Sequence, residues 1–584
     1  GLFLIVWCCL LIGLWRLRFW WLPTVSRSRS RSSCFCPCHR RLAGIMLVEA
    51  IAKAGNLWVS MDTVIKSQIK DLLLTTLASS SEARQASSQV IAKVASVEIP
   101  LKQYWPDLFQ SLLRNMTQQG IPAQVKQSTL ETICYVCQET SLLVNHEVNN
   151  VIRAVLRGNL PSEPIGVRLA ATKALLNVLG FAQANFGNEM ECRLIMRVVY
   201  RAAMSQEVEI REVAFQCLVS IASKYYEVLG WPYGELFNIT LKAINGDVHS
   251  VSLQAIAFWN SICDVEMELL QAHSDFIKYN IPHLIPILLE SLEGEEGQEE
   301  DKVDAVMNII PKLLSQILKK LGHTLDMQID DGREKQQASS LCGLLQLIVE
   351  KLSGTDKTKH LVLQNADAIM TMLLRVLATS RGGGGGGEAM LATGALACAT
   401  GPAFEKYVPE LFKHLQAGLE NFEECSITVV VVGDICRAID DKILLPFCDQ
   451  IMSLLLKNLQ SDELPRSVKP LIFSCIRNIA LAIGVHFSER YLTPILVEIM
   501  QGAAGEVCAQ QSDEELRKSV LEAYSGILQG CGDAKAEVMM MPYAQYLLQF
   551  IDLNAQTAEG VVVQAAVAAT GDLADALDKR QSSC

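Results

Sequence analysis

Arg84, Lys126, Arg168, Arg211 and Ser252 recur along the chain at intervals of 42, 42, 43 and 41 residues, and the same apolar pattern follows each of them. Three residues on stands Ser87, Thr129, Ala171, Ala214 or Ala255. Seven on stands Ile91, Ile133, Leu175, Leu218 or Trp259, and ten on stands Val94, Val136, Val178, Ile221 or Ile262. Offsets of three, seven and ten return to one face of a 3.6-residue helix, so each copy predicts an amphipathic helix with a small residue near its start and bulky ones below. A looser series heads similar apolar stretches near the other end, where Thr428, Lys469, Arg517 and Val563 follow one another at 41, 48 and 46 residues. Prolines 106, 282, 409 and 446 mark the first turn of a helix that precedes many of these, because the amide that proline lacks has no intrahelical partner there. Alone, the run Val429-Val-Val-Val432 would read as a strand; its place in the repeat makes it a buried helix.

A period of about 40 residues built from helix pairs is the signature of HEAT or armadillo repeats. The expected fold is therefore all-α, a HEAT/armadillo-type solenoid of about a dozen helix pairs in which stacking supplies the core that no single pair can bury. Such a superhelix has an inner surface long enough to wrap a partner, which narrows the function to holding other macromolecules. The expected divisions are a non-repeat head at 1–44, N-terminal repeats at 45–292, an acidic loop at 293–301, central helices of irregular phase at 302–380, a glycine-rich linker at 381–388 and C-terminal repeats at 389–584.

The head stands apart in composition. It holds four of the eight tryptophans, an Arg-Ser alternation and the run Cys34-Phe-Cys-Pro-Cys-His39. A membrane anchor is costly with Arg16 and Arg18 inside its apolar stretch, and Cys34, Cys36, Cys38 and His39 lack a second ligand pair at zinc-finger spacing. The reading adopted is a non-native segment, with no membrane insertion and no metal. The chain carries a net charge of −12, and residues 45–584 balance 44 basic against 63 acidic groups. A solenoid this acidic is a poor nucleic-acid binder and a good receptor for basic peptides or proteins. Its densest acidic stretch is Glu293-Gly-Glu-Glu-Gly-Gln-Glu-Glu-Asp301, read either as a solvated loop or as an arm that reaches a basic ligand.

No catalytic constellation stands out, so the chain is expected not to be an enzyme and to need no cofactor. The histidines form no metal-ligand pair, and Cys134 and Cys137 make a CxxC inside a repeat helix without a second pair nearby. The scattered cysteines fit buried free thiols. The glycines from Gly382 to Gly387 lack the Lys-Ser/Thr ending of a phosphate loop.

Several segments resemble the importin beta (karyopherin) family of nuclear import receptors. They are Ala83-Arg-Gln-Ala-Ser-Ser-Gln-Val-Ile-Ala-Lys-Val-Ala95, Leu169-Ala-Ala-Thr-Lys-Ala-Leu-Leu-Asn177, Ala184-Asn-Phe186 and Leu253-Gln-Ala-Ile-Ala-Phe-Trp-Asn-Ser-Ile-Cys-Asp264. Further on come Val432-Gly-Asp-Ile-Cys-Arg-Ala438, Arg466-Ser-Val-Lys-Pro470, Asn478-Ile-Ala-Leu-Ala-Ile-Gly484 and Leu521-Glu-Ala-Tyr-Ser-Gly-Ile-Leu-Gln-Gly530. The resemblance covers about residues 55 to 575 with one gap. It implies a receptor in cytoplasm, nucleus and nuclear pores that binds Ran in its GTP form, phenylalanine-glycine nucleoporins and importin alpha or basic cargo.

By the same resemblance, nucleoporin phenylalanines would insert between neighbouring outer helices, with Ile152, Leu156, Leu194 and Ile195 as pocket walls and Glu191 at the rim. The resemblance likewise makes Glu293, Glu295, Glu296, Glu299, Glu300 and Asp301 the acidic loop that meets Ran and the adaptor. The run Lys302-Val-Asp-Ala-Val-Met-Asn-Ile-Ile310 resembles a much later part of the family, which implies missing central repeats, an altered start and a shortened end. The family's tryptophans that clamp the adaptor have no counterpart after Trp259, so weakened adaptor binding is expected. The competing reading is a static HEAT scaffold of a phosphatase or trafficking complex.

Overall fold

The computed structural model describes residues 55–77, 81–100, 105, 107–230, 233–268, 276–292, 300–326, 332–380, 386–439, 441–491, 514–530 and 560–578, with 544–545, 548–549 and 551–552. Within them every long element is a helix and no strand occurs. The head at 1–44, Glu293, Glu295, Glu296 and Glu299 of the acidic loop, and residues 381–385 of the linker lie outside the described residues.

The chain forms two compact units, residues 1–309 and 310–584. In the first, helices α1 (Thr63–Thr76) and α2 (Ser81–Glu98) make one pair. They are followed by α3 (Leu108–Thr117) with α4 (Ala123–Glu139), α5 (Asn145–Gly158) with α6 (Ile165–Val178), α7 (Glu189–Ala203) with α8 (Val208–Lys224), and α9 (Tyr233–Gly246) with α10 (His249–Glu268). Helix α11 (Phe276–Glu290) follows, packed on α9. The second helices α2, α4, α6, α8 and α10 pack each on the next, forming one continuous layer.

That layer is the stripe read from the sequence. The residues three places on, from Ser87 to Ala255, are buried, as are those seven on, from Ile91 to Trp259, and ten on, from Val94 to Ile262. Small residues at the third place let the backbones approach while the bulky ones interdigitate, and each fully buried aliphatic side chain contributes about 1.5–3 kcal/mol over an exposed one. The first helix α5 comes close to this layer at Gly158, where an added Cβ would stand 2.8 Å from both the Ala171 Cβ and a Leu130 methyl. Polar groups in the layer are paired: the Ser88 and Thr132 hydroxyls lie 2.9 Å apart across it, and Thr172 donates at 2.9 Å to the side chain of Asn159 at the end of α5.

A second set of ties runs along the edge where the turns within successive pairs line up. Lys126 of α4 reaches Glu163 in the α5–α6 turn at 2.5 Å. Arg211 of α8 grips Asp247 before α10 through two bonds, at 2.7 and 2.5 Å, and donates to the carbonyls of Ser205 and Gln206 in its own turn. Burial alone would raise the Asp247 pKa. The Arg211 hydrogen bonds, the Val248 amide and the guanidinium charge outweigh it and hold the carboxyl below its usual range.

Helix α12 (Glu300–Asp326) opens with two acidic residues, Glu300 and Asp301, both exposed, where a helix N-terminus favours negative charge. The second unit contains α13 (Gly332–Ser353), α14 (Asp356–Thr379), α15 (Gly387–Thr400), α16 (Val408–Glu420), α17 (Cys425–Ala438), α18 (Asp441–Leu459), α19 (Lys469–Ile483), α20 (Glu514–Gly530) and α21 (Gly560–Asp578). Helices α13, α15, α17, α19, α20 and α21 stack in that order. Gly401 and Gly484 end α15 and α19 at φ of +57° and +56°, a conformation that glycine alone adopts without a Cβ clash. The valine run lies in α17, with Val429, Val431 and Val432 buried. Helix α14 is apolar and long enough to cross a membrane by length and composition, yet it packs on α13 and α15.

Two expectations need correction. Pro409 sits in the first turn of α16 as expected, but Pro282 and Pro446 lie inside α11 and α18, beyond the first turn. Each helix extends N-terminal to these prolines, and each interior proline, Pro286 of α11 included, removes the backbone bond that its missing amide would have made. The glycine linker is also shorter than expected, since Gly387 already begins α15, where an added Cβ would meet an Ile427 methyl at 2.9 Å.

Because the Asp247 pKa is lowered by folding, its contribution to stability is present above the unfolded carboxylate value of about 3.9 and is lost as pH falls through the lower folded value. Thermal unfolding followed from pH 6 down to pH 2 should show this loss. Asp247→Asn should lower stability at pH 6 and flatten the acid limb; an unaltered limb in the variant would show that the Arg211–Asp247 tie does not control it.

Candidate functional site

The first helices α5 and α7 carry the residues expected to wall an apolar groove. Each start is fixed by a side chain: the Val144 amide donates to Glu147 at 3.2 Å, and Asn188 accepts from the Met190 and Glu191 amides at 3.1 and 3.3 Å. Their mutual placement depends on Asn185, which is buried and donates at 2.7 Å both to Asn149 on α5 and to Glu191 on α7. The neighbouring Phe186 stacks on Tyr225 with centroids 4.1 Å apart, and the Tyr225 hydroxyl donates to the Leu179 carbonyl at 2.5 Å. The short Ala184-Asn-Phe186 segment therefore couples one pair to the next. It was visible in the sequence as a motif, but periodicity gave no hint that Asn185 bridges two helices.

The four expected walls divide two and two. Leu194 is 45% exposed, Leu156 is half-buried, and Met190, one turn before Leu194, is 78% exposed. Ile152 and Ile195, at 4% and 1%, belong to the core. The expectation that they wall an open groove is corrected accordingly, because consecutive helical residues differ by 100° in direction, so Leu194 and Ile195 face different surroundings. Glu191 is solvent-exposed, and its carboxylate is held by Asn185.

Of the acidic loop, Glu300 and Asp301 are both exposed in the first turn of α12. Cys134 and Cys137 lie on α4. The Asn177 amide donates to the Cys134 sulfur at 2.9 Å, while burial raises the pKa of both thiols. A thiol raised by burial is a weak nucleophile at neutral pH. Among the described residues no group of three or more His, Cys, Asp or Glu is arranged to hold a metal ion.

Paired helices with a shared second-helix layer and exposed apolar and acidic side chains define an α-solenoid, a class that works by holding other macromolecules. The family model "Importin subunit beta-1-like, TPR repeats" matches residues 300–583. Importin subunit beta-1 of Arabidopsis thaliana is 34% identical over 776 aligned positions, covering 92% of this chain and 88% of the relative. The Schizosaccharomyces pombe importin subunit beta-1 is 26% identical, covering 93% and 89%. A solved structure of yeast importin-beta (Kap95p) matches with a TM-score of 0.43 at 19% identity, covering 92% of this chain and 88% of that one. The chain belongs to the importin beta-1 family of nuclear transport receptors. An alignment of 776 positions is longer than the 584-residue chain, so part of the Arabidopsis relative has no counterpart here.

Ile195→Asp would place an unpaired carboxylate in the core beside α7. It should destabilise the chain by at least about 3 kcal/mol, read as a fall in the denaturation midpoint. A change under about 1 kcal/mol would contradict the buried position of Ile195.

Proposed function

We propose that this chain imports proteins into the nucleus by binding three kinds of partner: phenylalanine-glycine nucleoporins, Ran in its GTP form, and importin alpha or a basic cargo. The observation that carries this reading is the 34% identity to an importin subunit beta-1 across 92% of the chain, together with exposed groups suited to each partner.

For nucleoporins, the contact is the surface between α5 and α7 around Leu156, Leu194 and Met190, which Asn185 holds in register. Burial of one phenylalanine ring contributes about 1.5–3 kcal/mol, and several such weak sites acting together give a fast-exchanging yet selective attachment. For Ran and the adaptor, the acidic loop ending in Glu300 and Asp301 supplies charge for a basic surface. In this reading the part of the relative without a counterpart falls after the acidic loop. Adaptor binding is therefore weaker than in a complete relative, because no tryptophan follows Trp259 to stack against the adaptor's cations.

Two experiments test the reading. Leu194→Asp should weaken capture of Phe-Gly repeat peptides several-fold while changing stability by less than about 1 kcal/mol; capture equal to the parent chain would remove α7 from the nucleoporin site. Pulldown with Ran in both nucleotide states should retain only the GTP form. Neutralising Glu295, Glu296, Glu299, Glu300 and Asp301 should weaken that binding and flatten its dependence on salt, since charge acts over roughly 8 Å at physiological ionic strength. Equal retention of both Ran forms would instead favour a static scaffold.

A further inference from the structure

The ties along the turn edge of the first unit have a missing member. Lys126 reaches Glu163, and Arg211 reaches Asp247, each acid lying in the turn of the next pair. Glu163 and Asp247 stand five residues before Arg168 and Ser252, the repeat positions that head their own helices. The residue five before Arg211 is Gln206, which is neutral. Arg168 of α6 thus has no acid at the place where its neighbours find one. Its Nε is buried without a hydrogen-bonding partner, and among the described residues no ion pair holds its guanidinium.

A cavity of about 270 Å³ lies at this gap, lined by Arg168 and Arg201 together with Gln206, Glu207, Met204 and Ile210. Two guanidinium groups face it against one carboxylate, and the charge of Glu207 also acts on Arg211, which Asp247 already neutralises. Apolar groups line it too: Met204 and Pro161 are exposed and Val198 is half-buried. A sequestered donor without a partner is destabilising, and a planar guanidinium fork is matched by a carboxylate.

We propose that this cavity is a binding site for an acidic side chain on an extended segment of a partner protein. The Asp or Glu carboxylate takes the place of the missing turn acid against Arg168, Arg201 adds a second cation, and apolar residues flanking the acid rest on Met204, Pro161 and Val198. The site adjoins the Leu194 surface, since Val198 and Arg201 line it one and two turns further along α7, and it selects the opposite charge from the basic ligands that this acidic chain otherwise favours.

The test is a fluorescence-anisotropy titration of the full chain with a fluorescein-labelled dodecapeptide centred on Leu-Glu-Glu-Ile, and with its Leu-Gln-Gln-Ile counterpart. The acidic peptide should bind, and the glutamine peptide should bind at least ten-fold more weakly. Arg168→Gln should weaken the acidic peptide at least ten-fold. The decisive variant is Gln206→Glu, which retains both arginines and supplies the absent carboxylate; it should weaken the peptide as much as Arg168→Gln without lowering the melting temperature. Undiminished binding to Gln206→Glu, equal binding of the two peptides, or binding of inorganic phosphate with no binding of the acidic peptide would each overturn the assignment.

Discussion

Everything in the first unit depends on the contact between successive second helices. A helix pair of this composition exposes too much apolar surface to stand alone, and the stripe from Ala171 through Leu175 to Val178 is completed only by its counterparts on α4 and α8. The small residue at the head of each stripe sets how near the neighbour can come, and the large ones below fill the resulting space. Burial therefore couples every pair to two others, and the stack is stable as an array. The ties from Lys126 to Glu163 and from Arg211 to Asp247 work at the margin of that layer. They add direction to a hydrophobic contact that has little of its own.

This division of labour explains why the second helices were legible from sequence and the first helices less so. Ile91, Ile133, Leu175, Leu218 and Trp259 are buried because one face must satisfy two neighbours at once, which leaves a strict pattern. A first helix such as α7 meets fewer constraints, and Leu194 and Ile195 are both apolar although one is exposed and the other is core. Composition cannot separate adjacent residues of one chemical type; only the phase of the helix does. Pro446 was misplaced for a related reason, since a proline restricts the backbone over four residues and α18 continues upstream of it.

The bridging role of Asn185 was hidden for a different reason. Its partners, Asn149 and Glu191, lie on separate helices at sequence distances of 36 and 6, and no local pattern links the three. Polar bridges of this kind depend on the tertiary arrangement that the apolar stripe creates, so they can be read only after the stack exists. The buried thiols are the converse case. Cys217 and Cys263 lie fully inside α8 and α10 as small apolar residues, and their scatter through the repeats already argued for packing over chemistry.

A layer fixed by its second helices leaves the turns and the first helices comparatively free to differ from pair to pair. Successive turns contain Glu163, Gln206 and Asp247 at one structural place, and replacing an acid by an amide there changes the edge without touching the stripe. The pairs on either side still stack, because α6 and α8 are held by Ala171, Leu175, Ala214 and Leu218. What is lost is a neutralising partner for one arginine. Recognition surfaces in an array of this kind can therefore arise by local omission as readily as by addition, at a small cost in stability spread over many neighbouring contacts.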